Sequence, residues 1–304
     1  MAGSSGQKMK QWLEYGALRT IAGCLRLLGV DSAAALSAFV GRRLGPRLSR
    51  RRHERALANL RLAFPNQSES ERLAICIAHW ENLGRVMAET MLLDCLVAEP
   101  DRLTITAPHL MQRYGHKLGP AIGVSLHMGN WELAIWPLTS TGACPAAIYR
   151  SVANQHIDRY LRTLRKDLYP GGLFGRGIED SDDREDQKTA RIVADFVRRG
   201  GRLGIVSDQH YRRGFPVLFF GVPARTQPIA AIIARRVGAR VWIARCRRLG
   251  TKSRFAIDIR ELRVPRTANQ GDDIRRIQAA MLSQFEEWIR EHPEQWMWGN
   301  RIWS

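Results

Sequence analysis

The sequence has little of what a disulfide scaffold or a metal centre needs. Its five cysteines, Cys24, Cys76, Cys95, Cys144 and Cys246, are scattered and odd in number, with no CxxC pair. That pattern reads as reduced thiols in a cytosol-facing protein. No histidine and cysteine cluster has metal-ligand spacing, so no metal is expected. Long apolar runs are also missing. The longest uncharged stretch, Leu133 to Tyr149, is broken by Pro137, Gly142 and Pro145. A transmembrane helix needs about 20 mostly apolar residues, so none is expected. No apolar core followed by a small-residue cleavage site marks a signal peptide. Internal repeats and low-complexity linkers are absent too. Acidic residues are short: 29 against 47 lysines and arginines, a net charge of +18.

What is present is an ordinary folding composition. The 304 residues are 45% hydrophobic and 25% charged, enough for one large domain or a domain with an added segment. The excess of positive charge implies an acidic partner: nucleic acid, anionic lipid or an acidic protein. A nucleic-acid binder would carry a groove-reading helix or stacking aromatics on a sheet. The sequence has no helix-turn-helix, RNP or KH pattern, and its aromatics sit in apolar segments, so nucleic acid is the weaker partner class.

Residues 11 to 44 interleave apolar and basic positions. Trp12, Leu13, Tyr15, Leu18, Ile21, Leu25 and Leu28 recur at helical intervals with Arg19 and Arg26 between them, and a second run carries Leu36, Phe39, Val40 and Leu44. Two readings fit equally: an interfacial helical hairpin with its apolar side in lipid, or two ordinary helices packed on the domain. Arg42, Arg43, Arg47, Arg50, Arg51, Arg52 and Arg55 follow, a cluster suited to anionic headgroups or to a solvated helix face. Residues 1–60 are therefore expected to form an N-terminal amphipathic, basic, membrane-associating segment, and residues 61–304 the main domain.

The rest of the chain alternates strands and helices. A helix ends at Pro65-Asn66. Ser68-Glu69-Ser70-Glu71 opens a long helix with a capping-box pattern, on whose buried stripe His79 is expected as core packing. Strands are expected near 101–106, 143–149, 202–206, 216–221, 240–245 and 254–260. Helices are expected from Pro108, over 154–168, over 187–199, from Thr226 and over 270–291. The acids at 179–183 read as helix-capping residues in preference to a metal site. The tryptophan-rich end, EHPEQWMWGNRIW, reads as a tail that seals the core. The fold class predicted is α/β: a central, mostly parallel or mixed sheet flanked by helices, with the N-terminal helical membrane-associating segment added.

The chain is organised around AIGVSLHMGNWELA, residues 121–134. Ala121 to Leu126 read as a covered strand ending at His127. Gly129 turns the chain, Asn130 is a plausible cap, and Glu132 falls in the first turn of a helix. Of the eight histidines only His127 has an acid five residues on. A base with an orienting carboxylate at the carboxyl end of a strand lies where open α/β sheets hold ligands. The spacing by itself favours the plainer reading, a satisfied strand-end histidine and a glutamate favoured by the helix dipole.

Four segments in order carry a resemblance: HMGNWEL at 127–133, the strand ending in SDQ at 207–209, FFGVPA at 219–224 and HPEQWMW at 292–298. Together with NLRLAFPNQSESER at 59–72, the chain resembles, over nearly its whole length, the lipid A biosynthesis acyltransferases, the lauroyl and myristoyl transferases within the lysophospholipid acyltransferase group. The resemblance implies transfer of an acyl chain from an acyl thioester, acyl carrier protein or acyl-CoA, to a hydroxyl of a lipid A precursor at the cytoplasmic face of the inner membrane. No cofactor is expected beyond that co-substrate. It also implies His127 as base, Glu132 as its partner and Arg165 beside them, with Asn130, Arg150, Asp208 and Gln209 at the substrate. Without the resemblance, Arg150 and Arg165 read equally as surface charge. Two departures set the chain apart. Gly299-Asn300 follows the last tryptophan pair where the family carries His or Arg, and Pro137 falls within the helix after the motif. Neighbouring readings are the same chemistry on another lipid acceptor (a lysophospholipid, an amino-acid lipid or a glycolipid) and hydrolysis by a thioesterase.

Overall fold

The computed structural model describes residues 5–110, 119–176 and 183–303. The acidic loop expected before residue 183, and the continuation past residue 110 of the helix expected from Pro108, lie outside them.

Strands β1 (Leu103–Ile105), β2 (Ala121–Gly129), β3 (Ala146–Arg150), β4 (Gly172–Arg176), β5 (Arg202–Val206), β8 (Arg240–Arg248) and β9 (Phe255–Leu262) form one sheet in the order β1-β9-β8-β2-β5-β3-β4. Between β5 and β8 the chain makes a separate hairpin, β6 (Pro216–Phe219) and β7 (Val222–Arg225). Pairing in the seven-stranded sheet is parallel except between β8 and β9. The fold is thus the expected α/β class with a mixed, mostly parallel sheet. β2 lies inside it, between β8 and β5. Ile122, Val124, Leu126 and Met128 join one core with Val241 and Ile243, as the two-residue period of a strand requires. Trp242, Ala244 and Cys246 meet Leu133 and Ile135 in a second. The helices Ile229–Val237 and Gln270–Glu291 cover the first core with Ala230, Ile233, Ile277, Phe285 and Trp288.

The N-terminal region divides into two kinds of helix. In Val30–Leu48, Ala33, Ala34 and Ala38 are buried. This helix packs closely on Glu69–Met91, because a Cβ on Gly41 would lie 2.4 Å from Trp80 O and one on Gly84 2.1 Å from Ser37 O. Its larger side chains, Leu36, Phe39, Val40, Leu44 and Leu48, point to solvent. In Ser5–Leu28 only Ala22 is buried, while Met9, Trp12, Leu13, Ile21 and Leu27 are exposed, Leu27 by 89%. Contacts with a later segment hold this helix: Asn154 Nδ2 donates to Gln11 O at 2.8 Å and to Glu14 Oε2 at 3.0 Å, and Trp12 stacks on His156 at 4.0 Å. Among the described residues no helix is long and apolar enough to cross a membrane. The helix Arg50–Ala63 runs across positions 60 and 61 and buries Ala56 and Leu60 in the first core.

The capping box at Ser68 and Glu71 is formed, with both reciprocal hydrogen bonds. His79 is buried in that helix, as expected. The helix expected after Asn130 is instead a 3₁₀ segment, Trp131–Ile135, followed by one α-turn, Trp136–Thr139. Pro137 therefore lies at the start of that turn, where it lacks no intrahelical bond, and kinks nothing.

Candidate active site

β2 and β5 run side by side and in the same direction, so their carboxyl ends bring His127 together with Ser207, Asp208 and Gln209. Ser207 N–H donates to Ser125 O at 3.0 Å and extends the pairing beyond β5. Asp208 then turns its carboxylate onto His127. Oδ1 lies 2.7 Å from the imidazole Nδ1, and Oδ2 accepts the His127 backbone N–H at 2.9 Å. The Trp296 indole N–H donates to the same Oδ2 at 2.7 Å. An ionised carboxylate only accepts, so Nδ1 carries its hydrogen and Nε2 keeps a lone pair.

Burial alone would raise the Asp208 pKa. The neighbouring His127, its side-chain and backbone hydrogen bonds and the Trp296 donor outweigh it, and the carboxyl is held below the ordinary carboxylate value. The Asp208 side chain is 2% exposed and that of His127 17%, so the imidazole retains an accessible edge while its partner is sealed.

The sequence pairs His127 with Glu132, and the structure does not. Glu132 is held by Arg165, whose Nε donates to Oε2 at 2.8 Å and whose Nη2 donates to Oε1 at 2.5 Å. The 3₁₀ winding from Trp131 commits the glutamate to this second pair, which is largely buried. Burial opposes the charge on Arg165, yet the Glu132 carboxylate raises its pKa above the usual arginine value. The edge of Trp131 packs against the His127 ring, with centroids 5.2 Å apart.

Asn130 is also placed differently from its expected position. Its side chain makes no cap hydrogen bond. It is fully buried, and Nδ2 donates to Glu89 Oε2 at 3.0 Å. Glu89 in turn takes both terminal nitrogens of Arg248, at 2.5 and 2.9 Å, and the Ser253 hydroxyl at 2.7 Å. Asn130 thus ties the turn to the helix Glu69–Met91 and, through Glu89, to β8. Gly129 is needed at this turn. Its φ is 57°, and a Cβ would lie 1.8 Å from Cys246 O.

Gln209 faces the imidazole, its Nε2 3.1 Å from His127 Nε2. Arg150 is exposed at the carboxyl end of β3, two strands from β2. Trp296 was not singled out in the sequence, where the tail reads as core packing. It does pack there, stacked on Phe220 and edge-on to Phe219 and Trp298. Its indole N–H also reaches Asp208, and Met297 N–H donates to His127 O at 3.0 Å. The tail therefore pins both members of the pair. The usable signal was chemical, since a buried indole N–H needs an acceptor.

A sealed carboxylate orienting a part-exposed imidazole at a strand end can take a proton from a weak nucleophile. A search of curated proteins found no match to the chain. The sequence model for the bacterial lipid A biosynthesis acyltransferases matches residues 6–304, nearly the whole chain, and the protein belongs to that family.

Proposed function

We propose that this acyltransferase moves a fatty acyl chain from an acyl thioester, carried by acyl carrier protein or coenzyme A, to a hydroxyl of a lipid A precursor, with His127 as general base and Asp208 as the carboxylate that orients it. The observation that carries this reading is the 2.7 Å contact between Asp208 Oδ1 and His127 Nδ1. The acceptor alcohol is a weak nucleophile. Nε2 takes its proton as the oxygen attacks the thioester carbonyl, and the resulting imidazolium is stabilised by Asp208 and returns the proton to the departing thiolate. Base catalysis of this kind contributes about 10²–10⁴ in rate. Transfer is direct: no serine or cysteine adjoins His127 in the HMGNWEL segment to form an acyl-enzyme. The Glu132–Arg165 pair stiffens the short turn that follows the base.

The reaction is proposed to take place at the cytoplasmic face of the inner membrane. The exposed apolar side chains of Ser5–Leu28 and Val30–Leu48, next to the basic run from Arg42 to Arg55, support peripheral attachment to an anionic lipid surface. Acyl transfer from lauroyl-acyl carrier protein to a purified lipid A precursor tests the reading. His127→Ala should fold normally and lose transfer, and a His127→Ala protein that retains it would remove the base.

A further inference from the structure

Asp208 divides its work between two oxygens. Oδ1 faces the imidazole Nδ1 at 2.7 Å, while Oδ2 accepts two N–H groups, the His127 backbone at 2.9 Å and the Trp296 indole at 2.7 Å. The Asp208 side chain is almost sealed from water, so these protein donors set the direction in which the carboxylate points.

The indole is itself held. Trp296 is buried. Its carbonyl accepts the His79 Nδ1–H at 2.8 Å, and its backbone pairs with Met128, next to the base. A large ring packed on its faces and tied along its backbone presents its one N–H in one direction. Trp298 is just as buried and packs edge-on against Trp296, but its indole N–H goes to Pro293 O at 2.6 Å. Of these two tail tryptophans, Trp296 reaches the acid and Trp298 only fills the core.

A donor on Oδ2 has two effects. It stops the carboxylate from rotating away from Nδ1. It also disperses the carboxylate charge, so the Asp208–His127 pair binds a further proton less tightly. That matters because the pair must take the proton of the alcohol and then release it to the thiolate.

Resting on His127 as base and Asp208 as its acid, we propose that Trp296 is a positioning residue for acyl transfer: its indole N–H fixes the Asp208 carboxylate against His127 Nδ1 and limits how tightly the pair holds a proton. Trp296 acts through Asp208 and touches no reacting atom. Its bulk serves the core and its N–H serves the chemistry, and the two are separable.

The test uses the full-length chain with two changes at residue 296. One is Trp296→Phe. The other replaces Trp296 with 3-benzothienylalanine, which keeps the bicyclic shape and puts sulfur where the N–H was. Trp298→Phe is the packing control, and His127→Ala is run in parallel. Kinetics are measured with lauroyl-acyl carrier protein and a lipid A precursor. Both changes at residue 296 should lower kcat by about 10–100-fold, the value of a hydrogen bond to a charged group, with KM changed far less. The acid limb of kcat against pH should move up by about one unit, because the pair takes up a proton more readily. The neighbouring titratable and charged groups are the same in the proteins compared: Glu132 and Arg165 hold one another, His79 is protonated only near pH 4, and His210 is lowered by burial, Arg301 and Arg225. Trp298→Phe should leave the acid limb in place and kcat within about threefold of wild type. In an Asp208→Asn background, losing the indole N–H should cost kcat nothing further.

A benzothienyl protein with wild-type kcat and an unmoved acid limb would reduce Trp296 to core packing. The same loss and shift in Trp298→Phe would assign the effect to the tail as a whole and overturn the proposal. An active His127→Ala protein would overturn the underlying reading instead.

Discussion

Asp208 Oδ1 and His127 Nδ1 are 2.7 Å apart although 81 residues separate them in the chain. The acid nearest to His127 in sequence within the motif, Glu132, belongs to Arg165. The two carboxylates therefore serve different ends, and their substitutions should separate in kind.

Glu132→Gln should act first on stability. It strands a largely buried guanidinium, and breaking a buried ion pair by removing one partner costs about 3–5 kcal/mol. Because Arg165 keeps some exposure, the lower end of that range is expected. Adding Arg165→Met should recover much of the loss, since two apolar groups need no pairing. Urea unfolding of both single variants and the double variant measures the coupling. Additive losses would show that the pair carries no such energy.

His79 gives the fold an acid sensitivity. It is fully buried, its Nδ1 lies 2.8 Å from Trp296 O, and its Nε2 has no hydrogen-bond partner among the described residues. Burial pushes its pKa down from 6.5 to about 4. The unfolded chain therefore binds the proton first. The contribution is fully present above pH 6.5 and is lost as pH falls toward 4, to a total of about 3 kcal/mol. His79→Gln should flatten the stability profile between those limits. A profile with the same slope in the variant would assign the sensitivity to other groups.

The N-terminal helices should bind anionic vesicles. Replacing Trp12, Leu13 and Leu27 with serine should weaken sedimentation with such vesicles at any salt concentration, because buried apolar area is lost. Reversing several charges between Arg42 and Arg55 should weaken it mainly at low salt. Binding unchanged in both variants would reject the attachment surface.

Much of the architecture was legible because it is local. Covered strands such as Ala121–Gly129 and Arg202–Val206 declare themselves by apolar runs, and the helix Gln270–Glu291 by its period. The Ser68–Glu71 cap is a matter of four residues. β4, Gly172–Arg176, was not expected, because Pro170-Gly171-Gly172, which leads into it, reads as a break. The site was only half legible. His127 and the SDQ segment stood out, but the link between them is made by parallel pairing of β2 with β5, which sequence spacing does not encode. The strand–turn context and the family resemblance pointed instead to Glu132, five residues after the base. The 3₁₀ winding at Trp131 and the guanidinium arriving from Gln155–Arg165 decide otherwise. Asn130 was misread for a similar reason: a turn asparagine suggests a cap, while its acceptor, Glu89, lies 41 residues earlier.

The pairing of His127 with Asp208 is tested most directly by single-turnover acyl transfer with Asp208→Asn. An asparagine keeps the shape of the carboxylate but can no longer hold the charged imidazole, and the transfer rate should fall by about 10²–10⁴-fold with the fold intact. A rate near wild type in that variant, with Glu132→Gln inactive though folded, would contradict the assignment and return the orienting role to Glu132.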